Sequence, residues 1–273
     1  MSLITIPYRF DSVEDFLSWL EKTPAHPEAG KSSRSGDVDF TGTHSLKEAF
    51  SLIHCGWPEG EELVATHAKA ILGKIPGSLL TIQTAYDVVG DQWDMGKVML
   101  GEPESAMVWQ EREGGLQCLK VCVDIGFNCN TSAEYIQERG AMVGALIDAL
   151  ETSGNRCEVW ACWRTKMIGL DASSNEVEVV TEIKIKSYDK ALDMDRLAFW
   201  VVHPSALRRM LFLLLEKVDN YFVARNTRGG YGRSEPFQSP DADLTIPAET
   251  YITDFPAKLL SYYEKLQKGE VML

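Results

Sequence analysis

The sequence predicts an α/β fold: an open mixed sheet with helices on both faces, joined to a mostly helical N-terminal region. Three observations predict it. A continuous apolar run at 119–125 is typical of a buried strand. A helical apolar repeat follows, opened by the capping box Thr131-x-x-Glu134 and closed by Gly154. The alternation of apolar and charged residues at 176–186 then predicts a strand with one wet face, as at an antiparallel edge.

The N-terminal third is predicted to be mostly helical. The capping box Ser45-x-x-Glu48 opens one helix there, and a helical apolar repeat predicts another at 61–72. We therefore divide the chain into a helical N-terminal region, 1–77, and an α/β core domain, 78–273.

Turn residues indicate the remaining elements of the core domain. Gly114-Gly115 lies between two strand-like runs and predicts a hairpin that joins 106–113 to 116–125. Pro204 is predicted to start a second helix after a break at His203-Pro204, because proline suits the first helical turn. Further predicted elements are a strand at 156–165, a short strand at 243–246 and a final helix at 256–267.

Composition and charge narrow the class of protein. The chain has 273 residues, 45% of them hydrophobic and 25% charged, as in an ordinary globular protein. No apolar run approaches the ~20 residues of a membrane helix, and the N-terminus lacks a basic start and a cleavage site. We therefore expect a cytoplasmic protein without membrane contact. The six cysteines form no C-x-x-C pair, and we expect structural thiols rather than zinc ligands or disulfides.

The charge distribution argues against nucleic acid binding by the whole surface, because the net charge is −13. One segment differs. Between His203 and Arg233, six basic residues outnumber Glu216 and Asp219, so its local charge is +4; the basic residues are Arg208, Arg209, Lys217, Arg225, Arg228 and Arg233. We expect this segment to contact a partner, which is either a protein or a nucleic acid.

Asp124 is the first candidate site residue, because it ends the apolar strand and faces a strand-to-helix loop. Open α/β sheets bind ligands at the carboxyl ends of their strands. A carboxylate there is interpreted either as a metal or polar-ligand residue, or as a cap for the amides of the next helix.

The basic segment supplies the other candidates. His203 is either a base or ligand beside Ser205 and Arg208, or a structural hydrogen-bonding histidine, which is the commoner case. Arg225, Arg228 and Arg233 flank a glycine-rich loop, with the aromatic residues Tyr221, Phe222 and Tyr231 interleaved. That pattern suits an anionic partner, and the alternative is a flexible surface loop with solvated charges.

The order strand, capped helix, strand, edge strand, helices, strand resembles a von Willebrand factor A-type domain over 116–267, with a Rossmann-like sheet. Such domains hold a divalent cation at a D-x-S-x-S loop, which here is Asp124-Ile-Gly126-Phe-Asn128. The resemblance implies a magnesium ion bound by oxygens of four residues: Asp124, Asn128, Thr131 and Ser132. Gly126 and Asn128 stand where the family has serines.

A second resemblance is to an uncharacterised protein family of bacteriophages and prophages. It rests on the stretches 94–104, 40–45 and 198–205. A viral origin would imply a role in the host cytoplasm and gives no activity.

Three functions are consistent with these patterns. The first is a non-enzymatic binding or accessory protein, whose loops near Asp124, His203 and Asn226 contact a partner. The second is a divalent-metal-dependent hydrolase or nuclease that uses Asp124. The third is a structural or assembly component of a phage particle.

Overall fold

The computed structural model describes residues 3–72, 84–88, 92–109, 118–152, 155–168 and 176–248, together with Ala257 and Ser261. The strands in these ranges are β1 (Leu3–Phe10), β2 (Thr84–Asp87), β3 (Gln92–Trp93), β4 (Ala106–Trp109), β5 (Cys118–Asp124), β6 (Arg156–Ile168), β7 (Glu176–Lys186), β8 (Arg233–Ser234) and β9 (Leu244–Ile246). The helices are α1 (Val13–Lys22), α2 (Val38–Thr41), α3 (Leu46–Cys55), α4 (Pro58–Leu72), α5 (Met95–Met99), α6 (Ala133–Thr152), α7 (Met194–Val202), a π-helix (Ala206–Leu211), α8 (Phe212–Lys217) and α9 (Tyr221–Asn226).

The main sheet has the order β1-β7-β6-β5-β9, and β8 pairs with the far end of β6. β5 is parallel to both of its neighbours, whereas β6 and β7 are antiparallel. The predicted α/β fold with an open mixed sheet is therefore confirmed, and β5 is the buried interior strand that its apolar run predicts.

One face of the sheet builds the core. A row of register partners crosses five strands on this face, and each member is buried: Phe10, Ile183, Ala161, Val123 and Ile246. The buried side chains of α1, α3, α6 and α7 belong to the same core cluster. In the described ranges, the helices of this core thus lie on one face. The last predicted helix, 256–267, falls almost wholly outside those ranges.

The opposite face is polar apart from a small buried cluster. Cys122, Trp160 and Cys162 pack there against Phe237 and Ala242 of the segment that leads to β9. This segment, 235–242, therefore covers part of the second face.

The prediction that 176–186 is an edge strand is wrong, because β1 pairs with β7 along its length. Charged side chains of β7 form ion pairs with side chains of the neighbouring strands and are not exposed to water alone. Glu178 pairs with Arg164 of β6 at 2.6 Å, and Glu182 lies 3.5 Å from Arg9 of β1. Charge alternation on β7 thus reflects cross-strand ion pairing.

The division at residue 77 does not correspond to a separation in the packing. β1 belongs to the main sheet, and residues of α1, α3 and α4 lie in the same core cluster as β5 and β6. The sequence pattern does not predict β1, because the alternation in Leu3–Phe10 is interrupted by Pro7. Pro7 is tolerated because β1 is an edge among the described strands of the sheet.

The predicted hairpin across Gly114-Gly115 does not form at its described ends, 106–107 and 121–123. β4 pairs with β2 and β3 in a separate three-stranded sheet, and β5 has β6 and β9 on its two sides. The glycines themselves lie outside the described residues.

The break at His203-Pro204 is confirmed, since α7 ends at Val202 and the π-helix begins at Ala206. No single helix of the described chain is long and apolar enough to cross a membrane. By length and composition alone, the bent pair of 194–202 and 206–217 meets that criterion.

Candidate functional site

Asp124 lies at the carboxyl end of β5, as predicted, but its side chain is only 2% exposed. Its Oδ1 accepts a hydrogen bond from the Gly126 amide at 2.8 Å, and its Oδ2 accepts one from the Phe237 amide at 3.1 Å. Burial raises the pKa of this carboxyl group, and the two amides and the Arg139 guanidinium act in the opposite direction. Asp124 therefore joins β5 to the segment that covers the second face.

Gly126 stands where the A-type motif has a serine, and packing explains the difference. A Cβ atom at this position would lie 2.6 Å from Cδ1 of Trp163 and 2.9 Å from Oδ1 of Asp124. No side chain fits there unless one of these groups moves. The first hydroxyl of the motif is thus excluded by the core.

The other three predicted metal ligands have structural partners. The Asn128 side chain accepts the Asn130 amide at 3.2 Å, and the Ser132 hydroxyl accepts the Tyr135 amide at 3.2 Å, so Ser132 caps α6. The Thr131 carbonyl accepts a hydrogen bond from Arg208. A magnesium site would need oxygens of this loop, and several of them already accept hydrogen bonds in the turn and at the start of α6. A magnesium ion at Asp124 stays a prediction.

His203 is buried and neutral. Its Nδ1 accepts the Ser205 amide at 3.0 Å, and its ring packs against Trp57 and Phe199. Burial, with a smaller effect of Arg209, lowers the pKa of His203 to about 4. The Ser205 hydroxyl bonds to the Thr41 carbonyl at 2.5 Å. His203 and Ser205 are therefore neighbours, but their hydrogen bond runs through the amide and leaves the hydroxyl unactivated.

Arg208 is only 1% exposed, so the structure does not present it as a surface ligand residue. Its guanidinium donates to the carbonyls of Phe40, at 2.7 Å, and Thr131. It also lies 4.0 Å from the centroid of the Phe40 ring. Arg208 thus connects the π-helix to the loop before α6 and to α2.

Arg209 has a structural role that its place among the basic residues of the sequence does not reveal. It is fully buried and donates to five oxygens of one N-terminal stretch: Ser33 O, Ser35 O, Thr41 Oγ1, Thr43 O and Thr43 Oγ1. Its position inside the apolar repeat of Leu207, Met210 and Leu211 was the available signal, because that repeat predicts a buried helix.

The three loop arginines are exposed, in contrast to Arg208 and Arg209. Arg225 and Arg233 are solvent-accessible, and Arg228 forms an ion pair with Glu28 at 2.9 Å. The structure also brings one more cation to this loop. The Gly30 amide donates to Thr227 at 2.7 Å and the Ser32 amide donates to Tyr231 at 2.9 Å, so exposed Lys31, which stands between them, lies beside the loop.

We give the name basic surface to the set of Lys31, Arg225, Arg228 and Arg233. The loop that carries the three arginines is anchored by contacts with the core. Tyr231 is buried, stacks on Phe212 with 3.9 Å between ring centroids, and donates to Glu216 at 2.6 Å. Tyr231 is therefore an anchor, whereas Tyr221 is 57% exposed and remains accessible to a partner.

Comparison with known proteins gives one result. No curated protein and no solved structure matches the chain. The sequence model of one family, described as Domain of unknown function (DUF7192), matches residues 4–269. This match runs across the predicted boundary at residue 77 and covers β1 through β9, so the chain belongs to the DUF7192 family.

Proposed function

We propose that the protein is a non-catalytic binding protein that holds a single-stranded nucleic acid on its basic surface. The observation that carries the proposal is the contrast between two sets of polar residues. Asp124, His203 and Arg208 are buried and engaged in internal hydrogen bonds. The cations of the basic surface are exposed, and the loop that carries its three arginines is anchored in the core.

The chemistry of the basic surface fits phosphate groups. Arginine offers a planar fork of donors for phosphate oxygens, and the exposed glycines Gly229 and Gly230 let a backbone approach closely. The exposed ring of Tyr221 offers a face on which a base can stack, and such stacking tolerates any sequence. Because the net charge of the chain is −13, the rest of the surface repels nucleic acid, and we expect binding at the basic surface alone.

The resemblance to A-type domains supports a binding role. The elements β5, α6, β6, antiparallel β7, helices and β9 keep its order, but β7 is an interior strand and not an edge strand. The hydrolase alternative would need Asp124 as a metal ligand, and both of its oxygens accept amide hydrogen bonds. No observation favours that alternative over binding.

The test is a titration with single-stranded RNA and DNA at about 50 and 200 mM salt. We expect affinity to fall as salt rises, by roughly 0.7 logarithmic units per decade of salt for each phosphate contacted. The variant with Arg225, Arg228 and Arg233 changed to Gln should lose binding at both salt concentrations. Its melting temperature should stay close to that of the wild type, because exposed charges contribute little to stability.

A matched control neutralises three exposed cations elsewhere: Lys47, Lys190 and Arg196. It changes the net charge by the same amount and should bind as the wild type does. Equal loss of binding in both triple variants would show a non-specific charge effect and contradict the proposal. Absence of binding by the wild type at low salt would also refute it.

A further inference from the structure

The second face of the main sheet brings two thiols and a carboxylate together. Asp124, Cys162, Glu182 and Arg9 are register partners in one row across β5, β6, β7 and β1. Cys122 lies two residues before Asp124 on the same face of β5. The sulfur atoms of Cys122 and Cys162 and a carboxylate oxygen of Glu182 all lie within 4.8 Å of one another.

We propose that Cys122, Cys162 and Glu182 form a zinc-binding site. Zinc binds thiolate sulfur at about 2.3 Å and carboxylate oxygen at about 2.0–2.2 Å, in tetrahedral geometry. Donors arranged in this way lie roughly 3.5–3.8 Å apart, which follows from those bond lengths. The observed cluster meets this spacing with small side-chain adjustments. Softer sulfur ligands also select zinc over magnesium or calcium.

The framework around the cluster is rigid. Its three residues lie on three adjacent hydrogen-bonded strands, and both cysteines are fully buried. Phe237 and Ala242 cover them from the segment 235–242. The Ser239 hydroxyl of the same segment lies near the Cys122 thiol. A water molecule or this hydroxyl would take the fourth position, and the segment would limit access of solvent to the ion.

The charges near the cluster balance those of a bound ion. Two thiolates and a carboxylate carry three negative charges, so a zinc ion leaves one, and Arg9 lies 3.5 Å from Glu182 to offset it.

The alternative is that both cysteines pack as small apolar residues and Glu182 serves only its ion pair with Arg9. Cys157 is an example of a buried cysteine that packs as a small apolar residue. It is also fully buried, but it lies on the helix-side face of β6 within the main core. Cys157 is therefore the matched control for a buried thiol without a second thiol beside it.

The first experiment uses the wild-type chain. Cobalt(II) should replace zinc and give a sulfur-to-cobalt charge-transfer absorption together with the intense visible bands of a tetrahedral site. Absence of these bands would overturn the proposal whatever the variants do. Titration with zinc should then bleach the bands with about one equivalent per chain, because zinc binds such sites more tightly than cobalt does.

The second experiment measures zinc content after addition of zinc and dialysis. We expect about one zinc ion per chain in the wild type and in Cys157→Ser, and close to none in Cys122→Ser and Cys162→Ser. Glu182→Gln should weaken binding, with an intact cobalt–sulfur absorption at higher cobalt concentration. Zinc retained in both Cys122→Ser and Cys162→Ser would refute the site. These readouts are independent of nucleic acid binding, so either proposal can fail alone.

Discussion

At the scale of single residues, the polar side chains that suggested a site in the sequence are mostly hydrogen-bonding centres of the core. Asp124, His203, Arg208 and Arg209 are each at most 4% exposed. Buried polar groups cost free energy unless they are hydrogen-bonded. His203 and one oxygen of Asp124 bond amides two residues away, whereas Arg208 and Arg209 bond oxygens of distant stretches of the chain. These hydrogen bonds explain why such residue types occur in otherwise apolar elements.

Replacement of Asp124 by alanine should destabilise the protein. The change leaves the buried amides of Gly126 and Phe237 without their acceptor. We expect the free energy of unfolding to fall by about 2–4 kcal/mol. Urea denaturation of Asp124→Ala and of the isosteric Asp124→Asn measures this, and Asp124→Asn should lose less. An unchanged stability of Asp124→Ala would contradict the structural role and favour a ligand role instead.

His203 should make stability depend on pH. Its pKa is about 4 in the folded protein, against about 6.5 in the unfolded chain. Between these values the unfolded state binds more protons, so stability rises with pH in that window. The contribution of neutral His203 to the free energy of unfolding is complete above pH ~6.5, and it is about 3 kcal/mol smaller at pH 4.

Denaturation of wild type and His203→Asn between pH 4 and 7 isolates this effect. Asp124 contributes with the opposite sign in both proteins, since its pKa is raised. The difference between the two stability curves should therefore shrink as the pH falls. Parallel curves would show that His203 titrates normally.

At the scale of elements, β1 decides the environment of β7. Its pairing covers an edge that would otherwise expose the backbone of an eleven-residue strand. Phe10 packs edge-to-face on Phe16 and Trp19, and so connects β1 to α1. The N-terminal strand therefore stabilises both the sheet and the first helix.

Deletion of residues 1–11 should destabilise the chain and promote self-association. Burial of a side chain such as Phe10 contributes about 1.5–3 kcal/mol, and an uncovered β7 edge can pair with another copy. Denaturation and light scattering test this. Leu3→Ser, at an exposed position of β1, should behave as wild type. A deletion variant as stable and monomeric as wild type would contradict the role of β1.

At the scale of the whole molecule, the N-terminal helices and the main sheet share one core. Phe16 of α1, Ile53 of α3 and Val64 of α4 lie in the same buried cluster as β5 and α6. Arg209 adds a polar connection, because it holds residues 33–43 to the π-helix. These contacts predict a single cooperative unit.

Urea unfolding should therefore show one transition. Far-ultraviolet circular dichroism reports the helices, and tryptophan fluorescence reports both Trp19 and Trp57 in the N-terminal third and Trp163 in the sheet. The two signals should change together, as in two-state unfolding. An early transition that affects only the N-terminal helices would support the division at residue 77.

The fold class, the buried strand that ends at Asp124, the capped helix after it and the break before Pro204 could all be predicted from the sequence. These depend on periodicity and capping, which act between residues close in the chain. It also identified Arg225, Arg228 and Arg233 as basic residues of one loop.

The neighbours of β7, the burial of His203 and Arg208, and the approach of Lys31 to that loop depend on tertiary packing and could not be predicted. It alone brought Cys122 and Cys162 to Glu182, because these residues are far apart in the chain and adjacent only through strand pairing. The spacing of apolar residues indicates which face of a helix or strand a residue occupies. Contacts between elements depend on packing between residues far apart in the chain, and the spacing within one element does not predict them.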